Sequence, residues 1–334
     1  MTYDAILWIS FGGPEKKEEV IPFLENVLRG KNVPRERMMA VAEHYYHFGG
    51  KSPINQQNRR LIAALEAELA ARGLQLPIYW GNRNWHPLLT DTVMKMKADG
   101  VRRALAFVTS AYSSYSSCRQ YLEDIENARA AAGDDAPVID KIRPFYNHPL
   151  YIAATTEQAR AALEQLPPER RSAAHVVYTA HSIPLAMARN SRYAEQLLEA
   201  CRLVSANLGR SGDPLVYQSR SGPPSQPWLG PDILEHLLTI KAKGETTDVV
   251  IVPIGFVSDH IEVLYDLDTE ARRLCDELGM NMVRAAAVGN NPKFVTMVRE
   301  LILERTGENP ERPSLGTLGP CPDVCPPGCC LPRP

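Results

Sequence analysis

Nowhere in the 334 residues does an apolar run approach the roughly 18 residues of a membrane-spanning helix. A helical membrane protein is thereby excluded. The opening Met1-Thr2-Tyr3-Asp4 also lacks the basic start of a secretory signal, so a soluble, cytoplasmic protein is expected. An excess of one charge is missing too. With 37 Lys and Arg against 39 Asp and Glu, the formal net charge of −2 leaves no broad basic surface. Nucleic acid is therefore not an expected partner, and an anionic ligand has to be held by local groups. Cysteine is sparse in the body of the chain, where only Cys118, Cys201 and Cys275 occur. A reducing compartment argues against structural disulfides and for thiolate ligation of a metal. Cys321, Cys325, Cys329 and Cys330, by contrast, crowd the final fourteen residues and need an explanation of their own. The 44% of hydrophobic residues can bury a large core, and the length favours two domains over one.

Strand-like apolar runs alternate with amphipathic helical runs: 5–10, 78–82, 105–110, 176–181, 215–219 and 249–254. This alternation predicts an α/β fold with parallel sheets. Segments such as 59–72, with Leu61, Ile62, Leu65 and Leu69 on one face, have the length and period of crossover helices. The two halves also resemble each other. Ile6-Leu-Trp-Ile-Ser-Phe11-Gly-Gly-Pro14 parallels Val176-Val-Tyr-Thr-Ala-His181-Ser-Ile-Pro184, and the second and third strands of each half repeat the likeness. Two similar domains facing one another across a cleft account for all three matches. The expected divisions are residues 1–146, residues 147–305 and a Pro- and Cys-rich tail, 306–334. The additional 14–53 segment reads as a mostly helical lid or cleft wall.

Metal-capable side chains stand where two of these strands end. In open α/β sheets, working residues lie beyond the carboxyl ends of parallel strands. One such end carries His181, an imidazole that binds Fe(II) and titrates near neutral pH, and so can serve as ligand, proton acceptor or both. The other leads into Gly255-Phe-Val-Ser-Asp-His-Ile-Glu262-Val-Leu-Tyr-Asp266. From Asp259 onward the period predicts one helix with Leu264, Leu267, Ala271, Leu274 and Leu278 inward, and Asp259, Glu262, Asp266 and Glu270 as a carboxylate ladder on the opposite face. A solvated helix face explains an acidic stripe as well. Its start beside a buried strand favours a cleft, where oxygen ligands one turn apart can pass a hydrated cation inward.

Ser10-Phe-Gly-Gly-Pro14, Phe48-Gly-Gly-Lys-Ser52-Pro53, Thr179-Ala-His181-Ser-Ile-Pro184 and Asp259-His-Ile-Glu262 follow in this order, and in them residues 3–305 resemble the ferrochelatases. The resemblance implies two Rossmann-like domains with parallel sheets facing across a porphyrin cleft, and insertion of substrate Fe(II) into a porphyrin. His181 and Glu262 become the iron-site residues on one porphyrin face, with Asp266 and Glu270 as the acidic path. The internal duplication matches Phe11 to His181, on the other wall. Relatives with tyrosine there can ligate product iron, whereas Phe11 can offer only apolar contact. Contacts to the substrate carboxylates map to Ser52, Tyr121, His44 and Tyr45, and Arg29 is added by its charge. Packing is the competing role for Tyr45 and Tyr121, and helix capping for Ser52. Few contiguous apolar residues occur over 15–37, which fits a soluble enzyme taking the four-carboxylate coproporphyrin III and passing its product to a later haem-synthesis enzyme. Protoporphyrin IX as substrate, a catalytically silent haem or porphyrin carrier, and chelation of cobalt or nickel into another tetrapyrrole are the alternatives.

The tail sets four thiols among five prolines between Pro320 and Pro332. It resembles the extension of ferrochelatases that carry a [2Fe-2S] cluster, which implies Cys321, Cys325 and Cys330 as ligands with Cys118 from the body. Cys329 is an ambiguity. Zinc bound by four thiolates, or disulfides and free thiols, are the other readings of these residues. Cys201 and Cys275, on amphipathic helices, are expected to be packing residues.

Overall fold

The computed structural model describes residues 2–223, 225–244, 247–309 and 311–332. Within them the chain forms two four-stranded parallel sheets flanked by helices. The first comprises β1 (Ala5–Ser10), β2 (Ile78–Asn82), β3 (Arg103–Val108) and β4 (Val138–Lys141) in the order β2-β1-β3-β4. The second comprises β5 (His175–His181), β6 (Leu215–Gln218), β7 (Asp248–Val252) and β8 (Asn281–Arg284) in the order β6-β5-β7-β8. The two orders are identical, so the internal duplication is one of topology as well as of motif. All six expected strands form. The two strands without a sequence signal, β4 and β8, are four-residue edge strands, Val-Ile-Asp-Lys and Asn-Met-Val-Arg, whose polar half hides the apolar pattern.

The central strands β1 and β7 are buried along their whole length, as parallel strands covered on both faces must be. On the helix Ile54–Ala71, Leu61, Leu65 and Leu69 are buried and Ile62 is half-buried. Helices Val20–Leu28 and Arg35–His47 fill much of the 14–53 segment and enclose a small core of Val20, Phe23, Leu24, Met38 and Ala42. The helix Ile233–Lys243 begins with a capping box between Asp232 and Glu235 and ends on Gly244 at φ 67°.

The chain separates into two compact units, though not as three consecutive stretches. One consists of Met1–Thr109, Gln120–Ile142 and Val298–Glu311; the other of Ser110–Arg119, Arg143–Met297 and Arg312–Pro334. The main crossing, between Ile142 and Arg143, falls close to the expected boundary at 146. The short Ser110–Arg119 segment differs from the expected division because its packing lies with the second unit. The Tyr112 hydroxyl donates to the Ile254 carbonyl at 3.0 Å, and Tyr146 N–H donates to the Ala111 carbonyl at 3.1 Å. The tail is not a separate body either. Asn147, fully buried, donates to the carbonyls of Leu315 (3.1 Å) and Gly319 (2.9 Å), and Glu199 accepts from Thr317 N–H at 2.5 Å. Residues 333–334 of that expected stretch lie outside the described residues, among which no helix is long and apolar enough to cross a membrane.

Gly255 holds the exit of β7 against β5. Its N–H donates to the Thr179 carbonyl at 3.0 Å, and an added Cβ would meet the Ala180 Cα and Cβ at 2.6 Å. Backbone cannot yield as a flexible side chain does. Gly255→Ala is therefore expected to cost about 1–3 kcal/mol of stability through overpacking, read as a lower midpoint in denaturant; an unchanged midpoint would show that the strand exit is not tightly packed.

Candidate active site

In the second unit, β5 and β7 are neighbours, so their carboxyl ends bring His181 and the segment following Val252 together. His181 is the last residue of β5, and Glu262 lies in the first turn after the β7 exit. His181 Nε2 stands 3.7 Å from Glu262 Oε1, with the two side chains 32% and 49% exposed, so the pair is open to a ligand. His260 Nδ1 approaches the other carboxylate oxygen at 3.8 Å. One carboxylate is thus flanked by two imidazoles.

The tautomer of His181 follows from its second nitrogen. Nδ1–H donates to the Ser182 carbonyl at 2.5 Å, which turns Nε2 toward Glu262. Burial pulls the His181 pKa down, but the Glu262 carboxylate, the Ser182 carbonyl and Asp266 outweigh it, and the net displacement is upward. For His260 burial prevails: its pKa is lowered, with the His181 charge adding to the effect and Glu262 opposing it. The two imidazoles are thus displaced in opposite directions, His181 toward its protonated form and His260 toward its neutral one.

Between Val263 and Arg272 the expected α-helix is wound as a π-helix, Leu264–Ala271, closing i→i+5 rings. Leu267 and Ala271 are buried and Leu274 and Leu278 pack against their cluster, as the apolar period predicts, while Leu264 is half-buried. Four residues is close to one turn in either winding, about 3.6 in an α-helix and more in a π-helix. Glu262, Asp266 and Glu270 therefore remain neighbours. Burial, and after it the charges of Glu262 and Glu270, push Asp266 up to about 7, against hydrogen bonds from Ser219 and Gln218 that pull it down. Burial likewise raises Glu270. Asp259 is not part of the ladder, which corrects the continuous stripe expected from the sequence. Its Oδ1 accepts from Arg284 Nη1 at 2.7 Å and from Ala287 N–H at 3.2 Å, and Asp268 pairs with the same guanidinium. Arg284 belongs to β8, a strand without a sequence signal.

Two residues at the end of β6 had not been singled out. Gln218 Nε2 donates to Asp266 at 3.2 Å and to the Glu262 carbonyl at 3.3 Å, and the Ser219 hydroxyl donates to Asp266. Ser219 sits at φ 61°, a left-handed conformation costing on the order of 1–3 kcal/mol for a non-glycine residue. The same strand-end rule that marks His181 marks these two.

The expected carboxylate contacts and Phe11 belong to the first unit. Phe11 follows β1 directly, is 38% exposed and meets Phe23 edge-on at 6.3 Å. Tyr45 meets Phe23 at 5.6 Å, and His44 is half-buried on the same helix. Arg29 is exposed and donates to Asn26 Oδ1 at 2.5 Å. Ser52 is buried, and its hydroxyl accepts from Ile54 N–H at 3.5 Å just before the helix Ile54–Ala71, whose N-cap is Pro53. Tyr121 is buried with the Arg83 guanidinium 3.6 Å over its ring. Its ring therefore packs, leaving only its hydroxyl for any carboxylate contact.

The tail thiols and Cys118 all lie in the second unit. Cys118 and Cys330 are buried, and Cys321, Cys325 and Cys329 are half-buried. Burial raises the Cys330 pKa, followed by Cys329 at 3.5 Å, Cys118 and Cys321, so these sulfurs lie within electrostatic reach of one another. Among the described residues, no three His, Cys, Asp or Glu side chains converge tightly enough to hold a metal ion as they stand. Cys201 and Cys275 are buried packing residues as expected, and burial pushes the Cys275 thiol up to about 11.

A family model described as ferrochelatase matches residues 3–306. A ferrochelatase of Rhodopirellula baltica is 56% identical over 331 residues, covering 98% of this chain and 93% of its own. A coproporphyrin III ferrochelatase of Nocardia farcinica is 50% identical, covering 100% of this chain and 98% of its own. Among solved structures, SirB from Bacillus subtilis with Fe3+ aligns at a TM-score of 0.57 and 12% identity, covering 92% of this chain and 98% of that one, a likeness of fold alone.

Asp266 holds its proton more tightly folded than unfolded. Its stabilising contribution is complete below about pH 4, the unfolded value, and is lost as pH rises through about 7. Asp266→Asn is expected to lose less stability than the parent between pH 5 and pH 8 in denaturant titrations. Equal losses in the two proteins would mean that Asp266 is an ordinary ionised carboxylate.

Proposed function

The chain belongs to the ferrochelatase family, and from that premise we propose that it inserts Fe(II) into coproporphyrin III, yielding coproheme for haem synthesis. Support for the porphyrin comes from relatives named coproporphyrin III ferrochelatase at about half identity over the full length. Support for the reacting groups comes from one observation above the others: His181 Nε2 and the Glu262 carboxylate lie 3.7 Å apart at adjacent strand ends, both accessible.

Insertion has to release two pyrrole protons and strip water from a dication. In this reading Glu262 and His181 Nε2 receive the iron. The arriving charge drives the Nε2 proton off, and Glu262, Asp266 and Glu270 carry it outward. Asp266, poised at about 7, can both take and give a proton at neutral pH. Once the iron has passed into the ring, the freed imidazole accepts one pyrrole proton and the Glu262 carboxylate the other, which leaves along Asp266 and Glu270, while His260, kept neutral by burial, positions that carboxylate from its other side. A silent porphyrin carrier has no use for a buried carboxylate titrating near neutrality, which favours the enzyme. We assign the substrate carboxylates to Arg29, His44, Tyr45, Ser52 and the Tyr121 hydroxyl, and an apolar porphyrin contact to Phe11.

We further assign a [2Fe-2S] cluster to Cys118, Cys321, Cys325 and Cys330. The donor set supports this: the four sulfurs belong to one unit, Cys118 and Cys330 are buried, and Cys118 and Cys321 act electrostatically on Cys330. When bound, such a cluster supplies iron–thiolate bonds that tie the tail to the body and a site that can accept one electron. A cytoplasmic location belongs to the same reading, because thiol ligands persist in a reducing compartment.

Anaerobic Fe(II) insertion, compared between coproporphyrin III and protoporphyrin IX, tests the proposal, and faster turnover with coproporphyrin III is expected. Preference for protoporphyrin IX would overturn the substrate, and inactivity with both the activity itself. His181→Ala is expected to lower turnover by about 10²–10⁴-fold, the contribution of a positioned proton acceptor, while porphyrin binding followed by fluorescence quenching persists. Turnover at the parent rate in that variant would remove His181 from the reaction.

A further inference from the structure

The two segments that carry the proposed cluster ligands are joined by a buried amide. Gln196 projects from the helix Tyr193–Asn207 and is 1% exposed. Its Oε1 accepts the Ser113 N–H at 2.8 Å, and its Nε2 donates to the Ser113 hydroxyl at 3.0 Å and to Cys321 Sγ at 3.4 Å. Ser113 lies in the Ser110–Arg119 segment, five residues before Cys118, while Cys321 comes from the tail. The orientation of the amide is settled by Ser113: its backbone N–H must meet an oxygen, so the nitrogen is the atom left to face sulfur.

Upstream of Cys321 the tail is already fastened. Arg143 donates to the Pro313 carbonyl at 3.3 Å, Asn147 holds Leu315 and Gly319, and Glu199 holds Thr317. These contacts fix the path of the tail without involving any sulfur. Gln196 differs from them in reaching a thiol, beside which the Ser113 hydroxyl also stands at 3.9 Å from Cys321 Sγ, and its own amide is buried, where a hydrogen bond to a charged acceptor is strong.

We propose that Gln196 is a positioning residue for the cluster: it sets Cys321 against the Cys118 segment and supplies an N–H···S hydrogen bond that raises the reduction potential. This rests on the cluster reading given above. One-electron reduction converts one ferric ion to ferrous and places an additional negative charge on the cluster and its sulfurs, with no bond made or broken. A donor aimed at a ligand sulfur stabilises that reduced form over the oxidised one, and such outer-shell groups also hold their ligands in place.

The test uses the full chain purified anaerobically, with iron and labile sulfide counted and the midpoint potential measured by dithionite titration followed by electron paramagnetic resonance. Gln196→Met keeps the volume and removes both the donor and the acceptor. It is expected to shift the midpoint to a more negative value and to lose its cluster to a chelator about tenfold faster. Gln196→Glu restores an acceptor for Ser113 N–H; it is expected to recover loading toward the parent while the midpoint stays negative, and it serves in place of the first variant should that one not fold. A merely structural role moves loading without moving the midpoint of the clusters that assemble. A loaded parent and loaded variants with the same midpoint would therefore overturn the role of Gln196 and leave the cluster standing. A parent with no iron or labile sulfide would overturn the cluster and this inference together.

Discussion

A carboxylate held between two imidazoles is the contact around which the chemistry proposed for the second unit is arranged. Its geometry depends on β5 and β7 being parallel neighbours, so that His181 at the end of one strand and Glu262 just past the other meet at 3.7 Å. Gly255 permits that meeting, because its missing side chain lets the β7 exit lie directly on Ala180. Any shift of one strand against the other would separate the two groups by the rise of a residue, about 3.3 Å, more than the contact can absorb.

Burial then determines what each charge does. Glu262 is half exposed and keeps its carboxylate in contact with solvent. Asp266, one turn along, is drawn up to about 7 chiefly by burial and then by its acidic neighbours. Gln218 and Ser219 oppose that shift with hydrogen bonds, and Ser219 adopts a left-handed backbone conformation where it does so. Strain localised at a residue that contacts a perturbed carboxylate is common at working sites, where surrounding structure holds the chain against its local preference. Wound as a π-helix, Leu264–Ala271 keeps Leu267 and Ala271 in the core while its acids stay neighbours.

The tail obeys a different logic. Among the described residues its prolines and glycines form no helix or strand, and it is ordered by side chains of the body: Arg143 and Asn147 donate to its carbonyls, and Glu199 accepts from its Thr317 N–H. Such buried polar groups need partners, and the tail supplies them. Order in this stretch is therefore a property of the second unit's interior as much as of the tail's own residues, and the thiols inherit their positions from it.

From the sequence alone came the alternation of six strands with helices, the duplicated topology, the strand-end His181 and the acidic face with Glu262, Asp266 and Glu270, because each has a local signature of period, spacing or strand-end position. Edge strands β4 and β8 are half polar and leave no such period. What only the tertiary structure decided were pairings between residues far apart in the chain: Arg284 drawing Asp259 out of the ladder, His181 meeting Glu262 beside His260, Ser219 meeting Asp266, and Gln196 linking Ser113 to Cys321. A side chain's partner across eighty or two hundred residues is chosen by packing, and packing has no period to read along the chain.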